Sequence, residues 1–452
     1  MHTQDETSSN TKSKLANPPL WDVIVIGGGP AGMMAAGRAA ELGAKVLIVE
    51  KNETLGKKLL ITGGGRCNVT NSEFDTRILL SKFKDSGKFL FSTFSQYGVK
   101  ETLDFFHAYG METKVENEKR TFPISDKAAS VLEVLVTYIR NGYVTILSNT
   151  EVAGIIVTED ELSTTDKKIV SGIRIRKEKT TQDIFGKKII LATGGKSRPD
   201  TGSTGDGFIW TKKLGHTVVE PSASLVPITV YEAKNTDWYK NLSGISLPEA
   251  KISIFQNNIR QHKPIKGKIL FTHTGLSGPA ILNLSQEISE LLKYGDTFIS
   301  IDVLPTIDQA TLDSKLNTLF RTEINKKLKN CLGMIGEIPT ALIKAIITFS
   351  GVDGETPAHS ITKENRRKIA SSLKDFRLQA SGLLGVDKAI VTSGGVLLDE
   401  IDPRTMRSQI CSNLYLIGDM LHIDRPSGGY SLQLCWTTGY VAGNDAGKSI
   451  LQ

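Results

Sequence analysis

The 452-residue sequence predicts an α/β protein with a β-rich, barrel-like insertion and a small helical insertion. Three observations carry this reading. Near the N-terminus the apolar run DVIVIG, a glycine turn, the alanine-rich run PAGMMAAGRAAELG and a second apolar run AKVLIVE follow one another as strand, turn, helix and strand. Residues 206–304 read mostly as strands and loops, whereas 308–349 reads as helices. From Ala389 the strand pattern returns in AIVTSGGVLL and NLYLIGD, and a helical run closes the chain from Ser431 to Ser449. The first domain is therefore interrupted and later resumed.

Composition narrows the classes. A hydrophobic content of 39% with 23% charged residues is ordinary for a globular protein, and the length suggests two or three domains at about 150 residues each. The formal charge is +7, but Lys and Arg are spread along the chain and the densest run, Glu364-Asn365-Arg366-Arg367-Lys368, carries its own counter-charge. A solvated face accounts for such runs, which argues against a nucleic-acid partner and fits attraction for a phosphorylated cofactor. The cysteines, at 67, 331, 411 and 435, form no C-x-x-C pair; a metal site is not expected, and reduced thiols of a cytoplasmic protein are. The first twenty residues are polar and read as a disordered tail. No run approaches the roughly 18 apolar residues of a membrane helix.

The elements follow in order. DVIVIG has the length and apolarity of a buried strand; Gly43 is placed to end the alanine-rich helix; AKVLIVE is the next buried strand. Residues 56–71 are a glycine-rich loop, in which TGGGRCNVTN offers only Val69 to a core. Helical patterns follow over 86–110 and 126–142, and 143–195 alternates strands with polar turns up to KKIILATGG. Within 308–349 the helical runs are QATLDSKLNTLFRTEINKKLKN and PTALIKAIITF.

Gly27-Gly28-Gly29-Pro30-Ala31-Gly32 fits G-x-G-x-x-G between a strand and a helix, and Glu50 ends the next strand. That context makes a weak pattern a dinucleotide signature. Gly27 allows the tight turn, Gly29 leaves room for a pyrophosphate, and Gly32 lets helix and strand approach. Free N–H groups at the start of the helix that opens at Pro30 and Ala31 favour the phosphates, and Glu50 can accept from ribose hydroxyls. The motif does not separate FAD from NAD. The far end of the chain favours FAD: Asn413-Leu414-Tyr415-Leu416-Ile417-Gly418-Asp419 is a strand ending in Gly-Asp ahead of a glycine turn and a helix. In flavoproteins of this kind that Asp holds the ribityl region, and the helix aims its N-terminus at the pyrimidine edge, where negative charge develops on reduction. Thr193-Gly194-Gly195 resembles a third segment facing FAD. No second such motif follows a strand, so a separate NAD(P)H domain is not expected; a pyridine nucleotide would bind in the cleft above the flavin.

Further motifs occur in order: Gly56-Lys57-Lys58-Leu59 leading into GGGRCNVTN, Arg120-Thr121-Phe122-Pro123, GSTGDG (202–207) before Gly215-His216, Ser224-Leu225-Val226-Pro227, FTHTGLSGPA (271–280), VTSGGV (391–396) and GGYSLQ (428–433). With them the chain, from about 21 to 450, resembles the BaiN-like flavoproteins, the aminoacetone oxidase family of FAD-dependent oxidoreductases. The resemblance implies a Rossmann-like FAD-binding domain at 21–205 and 385–452 behind the tail 1–20, a β-rich domain at 206–305 and 366–384, and a helical domain at 306–365. It implies that Gly64, Gly65, Arg66, Cys67 and Asn68 wrap a non-covalently held FAD. Lys57 and Lys58 would stand near phosphate or reduced flavin, with Lys51, Val152, Thr193, Gly194, Gly195, Gly418, Asp419, Gly429, Tyr430, Ser431 and Leu432 completing the site. Asp419 stands where the family has Glu, and His422, Arg425-Pro426 and Ser431 depart from its pattern.

A flavin carries the redox chemistry, so side chains need supply only orientation, charge and protons. His273 is the first general acid–base candidate, because imidazole titrates near neutral pH, or else a loop hydrogen-bonding group. Tyr430 and Arg66 follow, and Cys67 reads as structural. Thr204, Asp206 and His216 could line an inter-domain cleft. The expected function is FAD-dependent hydride transfer to or from a small or hydrophobic organic substrate, such as NAD(P)H-dependent reduction of an enone C=C. O₂-dependent oxidation of a small amine is the alternative, and a non-catalytic flavin-bearing RNA- or protein-binding protein a further one. Oligomeric state is not legible.

Overall fold

The computed structural model describes residues 20–158, 168–177, 180–385, 389 and 391–450. The tail expected at 1–20 lies outside them, save Leu20.

The strand–helix–strand reading at the N-terminus holds. Strand Trp21–Ile26 pairs in parallel with Val46–Val49 and with the end of Thr180–Leu191. Thr145–Leu147 and Leu414–Leu416 extend the sheet in parallel on its two sides. The central strand is buried from Val23 to Ile26, which is why its sequence is a continuous apolar run rather than an alternating one. The first half of Thr180–Leu191 leaves this sheet to pair antiparallel with Ile169–Lys177, which pairs with Glu151–Thr158. Helix Pro30–Glu41 packs against the last helix, Tyr430–Lys448, and against Ala128–Asn141. The single helical pattern over 86–110 is two helices, Gly87–Gln96 and Val99–Ala108, parted at Gly98.

The inserted part is a closed antiparallel barrel. Ser246–Gln256 pairs with both Ile265–Phe271 and Thr297–Asp302. The ring is completed through Gly275–Ser277, Ile228–Val230 and Phe376–Leu383. Helices Gln309–Thr322, Thr340–Ser350 and Lys363–Lys374 bury Leu312, Ile346 and Leu373 in the same apolar core as the barrel residues Ile252 and Ile299. The helical insertion thus shares a core with the barrel.

Four helices differ from the sequence reading of 206–304, two of them short, Tyr231–Asn235 and Asp237–Lys240. Asp206–Leu214 is a helix whose Phe208, Trp210 and Leu214 join the core of the first domain. Pro279–Leu291 is a helix inside the supposed strand region. Its Gly278-Pro279 start reads as a loop signal, yet proline is well suited to the first helical position. The two halves are joined by Val218–Ser224 running antiparallel to Val391–Val396.

Candidate cofactor cleft and active site

The first strand ends against the glycine turn. Gly27 has φ +104°, and a Cβ there would stand 2.5 Å from the Ala192 carbonyl oxygen. A Cβ at Gly32 would stand 2.0 Å from the Gly27 oxygen. Gly29, the residue capping helix Pro30–Glu41, has no protein atom within 4 Å of that position. Its open side faces a cleft of about 1240 Å³, mouth included. No side chain caps this helix, so its first N–H groups are left for a ligand.

Glu50 is buried and fixes the turn as well as facing the cleft. Its Oε2 accepts from Gly28 N–H at 2.7 Å, and its Oε1 accepts from Asn52 N–H at 2.8 Å and Asn52 Nδ2 at 2.6 Å. Lys51 Nζ donates to Thr204 Oγ1 at 2.6 Å and Asp206 Oδ2 at 2.7 Å, closing this end. Gly27, Gly29, Pro30, Ala31, Glu50, Lys51 and Val152 all line the cleft. So do Thr193, Gly194, Gly418, Asp419, Ser431 and Leu432.

At the opposite end stand charged groups. Lys57 is exposed and Lys58 half-buried, both on the cleft wall, and Lys58 Nζ donates to Ser197 Oγ at 3.2 Å. Burial lowers the Lys58 ammonium from its ordinary 10.5, partly countered by the nearby Asp419 carboxylate. Asp419 is ion-paired with Arg425, whose side chain is 1% exposed. Arg425 Nε also donates to Ser431 Oγ at 3.0 Å and Nη1 to the Ile423 carbonyl at 2.8 Å. Cys435 faces the same space, its thiol pushed up to about 12 by burial.

The loop TGGGRCNVTN divides in two. Leu59–Gly65 forms 3-10 turns in which Gly63, Gly64 and Gly65 are exposed, and Gly64 and Gly65 have nothing within 4 Å of a Cβ position. From Cys67 on, the chain is pinned. Cys67 is buried at φ +61°, and burial pushes its thiol up to about 12, so it is an inert group rather than a redox thiol. Asn68 Oδ1 accepts from Thr121 N–H at 3.2 Å, Trp436 Nε1 donates to the Val69 carbonyl at 2.9 Å, and Thr70 Oγ1 bonds Gln433 Oε1 at 2.6 Å. Arg66 ion-pairs with Glu116 and Asp126, both at 2.5 Å, and stacks on Phe122. Its charge is thus matched by protein carboxylates rather than turned to the cleft.

Other candidates lie around the cleft, not on its wall. Gly32 and Gly195 pack against backbone and Thr392 respectively. A Cβ at Gly429 would stand 2.3 Å from Thr70 C, so this glycine serves close packing. Tyr430 is buried at the head of the last helix, edge-on to Phe83 at 5.9 Å. Burial, with Glu73 and Glu118 nearby, raises its phenol, so it keeps its proton at neutral pH. His273 is exposed on the turn between Ile265–Phe271 and Gly275–Ser277. Thr204 and Asp206, expected at an inter-domain cleft, instead line the cofactor cleft, and His216 does not: it is buried within the first domain between Glu400 at 2.8 Å and Ser408 at 2.9 Å. Sequence reasoning missed Asn52, Trp210 and Cys435 as cleft residues. Asn52 had a signal in its place just after Glu50; the other two sit on helices whose facing only packing decides. Among the described residues no group of three or more His, Cys, Asp or Glu side chains could hold a metal ion, and no helix is long and apolar enough to cross a membrane.

A dinucleotide fits this cleft on structural grounds: an uncapped helix start, the open side of Gly29, a buried carboxylate on the wall at the strand end and a half-buried ammonium. Comparison with known proteins agrees. A family profile described as HI0933-like protein Rossmann domain matches residues 21–445. The chain is 30% identical over 429 residues to the 3-dehydro-bile acid delta(4,6)-reductase of Clostridium scindens, covering 94% of this chain and 98% of that protein. It is likewise 30% identical over 432 residues to the ribosomal RNA dihydrouridine synthase of Escherichia coli, covering 94% and 98%. The solved 3-ketosteroid delta1-dehydrogenase of Sterolibacterium denitrificans shares the fold, with a TM-score of 0.53 at 15% identity over 95% of this chain and 100% of that one. The chain belongs to the HI0933-like family and is an FAD-dependent oxidoreductase.

Proposed function

We propose, from that membership, that the chain reduces a C=C bond conjugated to a carbonyl, with NAD(P)H as electron donor. One observation carries the reading. The two relatives' names describe very different molecules, a 3-oxo steroid and a uracil in RNA, but one reaction: hydride addition to a C=C polarised by a carbonyl. FAD, held non-covalently, supplies hydride transfer between the donor and the substrate carbon.

The chain's own residues bind and orient. The uncapped start of helix Pro30–Glu41 and the open side of Gly29 take the pyrophosphate, and Glu50 the adenosine ribose. Asp419 takes the ribityl chain. Lys58 and the N-terminus of helix Tyr430–Lys448 place positive charge where reduction adds negative charge. His273, on an exposed turn, is the proton donor we assign to the substrate carbon beside the carbonyl; Tyr430, buried against Phe83 off the cleft wall, is the second candidate. The four cysteines are all free, which fits a cytoplasmic protein.

The second reading is a uracil of ribosomal RNA as the substrate. The sequence argued against nucleic acid, but two curated relatives carry that activity in their names. The test is anaerobic. NADH or NADPH should bleach the bound flavin, and a 3-oxo-Δ4 steroid or a uridine-containing rRNA fragment should restore its colour with formation of the saturated product. Restoration by O₂ alone, with an amine able to bleach the flavin, would replace this reading by an oxidase.

A further inference from the structure

Arg425 is one of the most deeply buried charges among the described residues, with its side chain 1% exposed. Burying a guanidinium costs several kcal/mol unless it is paired and hydrogen-bonded. Here each nitrogen has a partner: Nη2 pairs with Asp419, Nε donates to Ser431 Oγ at 3.0 Å and Nη1 to the Ile423 carbonyl at 2.8 Å. Asp419 and Ser431 are both cleft residues, from the two segments that frame its end, while Arg425 stands behind them. Lys58 approaches the same carboxylate from the cleft side. Arg425 and Asp419 form an ion pair, and Lys58 adds a second cation near the head of helix Tyr430–Lys448, whose N-terminus adds to it, with exposed Asp200 also acting on Lys58. Ser431 supplies the hydroxyl that Arg425 Nε engages, so the two side chains form one unit.

We propose that Arg425 is a positioning residue for the cofactor: it fixes Asp419 and Ser431 in place and supplies a buried positive charge that favours reduced over oxidised flavin. Nearby buried cations interact with charge through a low effective dielectric, so a residue behind the wall is felt in the cleft. The inference rests on FAD binding and not on the choice of substrate.

The holo-protein is compared with R425Q, which retains a hydrogen-bonding side chain, and with R425K, which retains the charge. Two readouts need no organic substrate. One is the two-electron midpoint potential against a reference dye. The other is sulfite binding, in which the sulfur lone pair adds to flavin N5 and negative charge moves to the N1–C2=O edge, bleaching the flavin. R425Q should bind sulfite at least tenfold more weakly and lower its preference for the reduced cofactor about tenfold, which is about 30 mV for a two-electron couple. R425K should recover most of both. If R425Q does not fold with FAD, S431A, which removes one anchor of the same fork, should shift both readouts in the same direction by a smaller amount. Unchanged potential and sulfite affinity in R425Q, or in S431A where R425Q fails, or equal loss in R425K and R425Q, would overturn the proposal.

Discussion

At the first glycine turn the protein itself forbids side chains: a Cβ at Gly27 would stand 2.5 Å from the Ala192 oxygen and one at Gly32 2.0 Å from the Gly27 oxygen. In the second glycine segment Gly64 and Gly65 have no protein atom within 4 Å and lie exposed. The first turn is therefore shaped by packing and stands without a ligand. The second is glycine for its backbone instead, since Gly64 and Gly65 hold φ +69° and +86°, and ordering glycines costs more backbone entropy than ordering any other residue. The contrast repeats within the loop itself. Beyond Arg66 the same polar stretch is tied down by Trp436 and by Gln433, whose Nε2 also donates to Thr102 Oγ1 at 2.9 Å. Low packing capacity in a sequence thus covers two different physical states, one left open and exposed and one already satisfied by the last helix.

Replacing Gly32 by Val should have the largest effect. Overpacking a core costs about 1–3 kcal/mol, and because the obstructing atom here is backbone the loss belongs at or above the top of that range. Soluble yield and melting temperature of the apo-protein would both fall. Gly29→Val, by contrast, should leave the apo-protein's melting temperature unchanged and weaken FAD binding by at least about a hundredfold, because only ligand occupies that space. A lower apo melting point for G29V would break the comparison.

Trypsin reads the second segment. The apo-protein should be cut after exposed Lys57 first, and saturation with FAD at about 100 times its dissociation constant should slow cleavage by up to about a hundredfold if FAD binds only the closed loop. Equal rates with and without FAD would mean that residues 57–66 are as self-supporting as the first turn.

Lys58 adds a pH test. Burial lowers its folded-state pKa below 10.5, so the ammonium is lost at a lower pH than in the unfolded chain. Anionic FAD favours the protonated form. Binding should take up protons, and affinity should fall as pH rises through that lowered pKa; the fall should be about tenfold and absent in K58R, as followed by fluorescence titration. The smallest effect belongs to Arg66→Gln. Its side chain is 34% exposed and its partners Glu116 and Asp126 lie at the surface, so solvent screens these pairs, the melting temperature should change little and FAD should be retained. Loss of FAD in R66Q would mean that Arg66 leaves those carboxylates to meet the cofactor.

The sequence by itself determined the dinucleotide turn, Glu50, the interrupted first domain and the barrel-like insertion, because these rest on local signals: apolar runs, glycine spacing and a carboxylate at a strand end. It missed helix Pro279–Leu291, where a Gly-Pro pair that starts a helix is indistinguishable from one in a loop until its apolar face finds the barrel. Only the tertiary structure decided which half of TGGGRCNVTN is pinned, since Trp436 and Gln433 lie more than 360 residues away from Val69 and Thr70. It alone decided that Arg66 pairs with Glu116 and Asp126, that His216 is enclosed by Glu400 and Ser408, and that Arg425 stands behind Asp419. Charge type is written in the sequence. The partner that neutralises or aims a charge is chosen by long-range packing, and that choice separates a cofactor ligand from a structural ion pair.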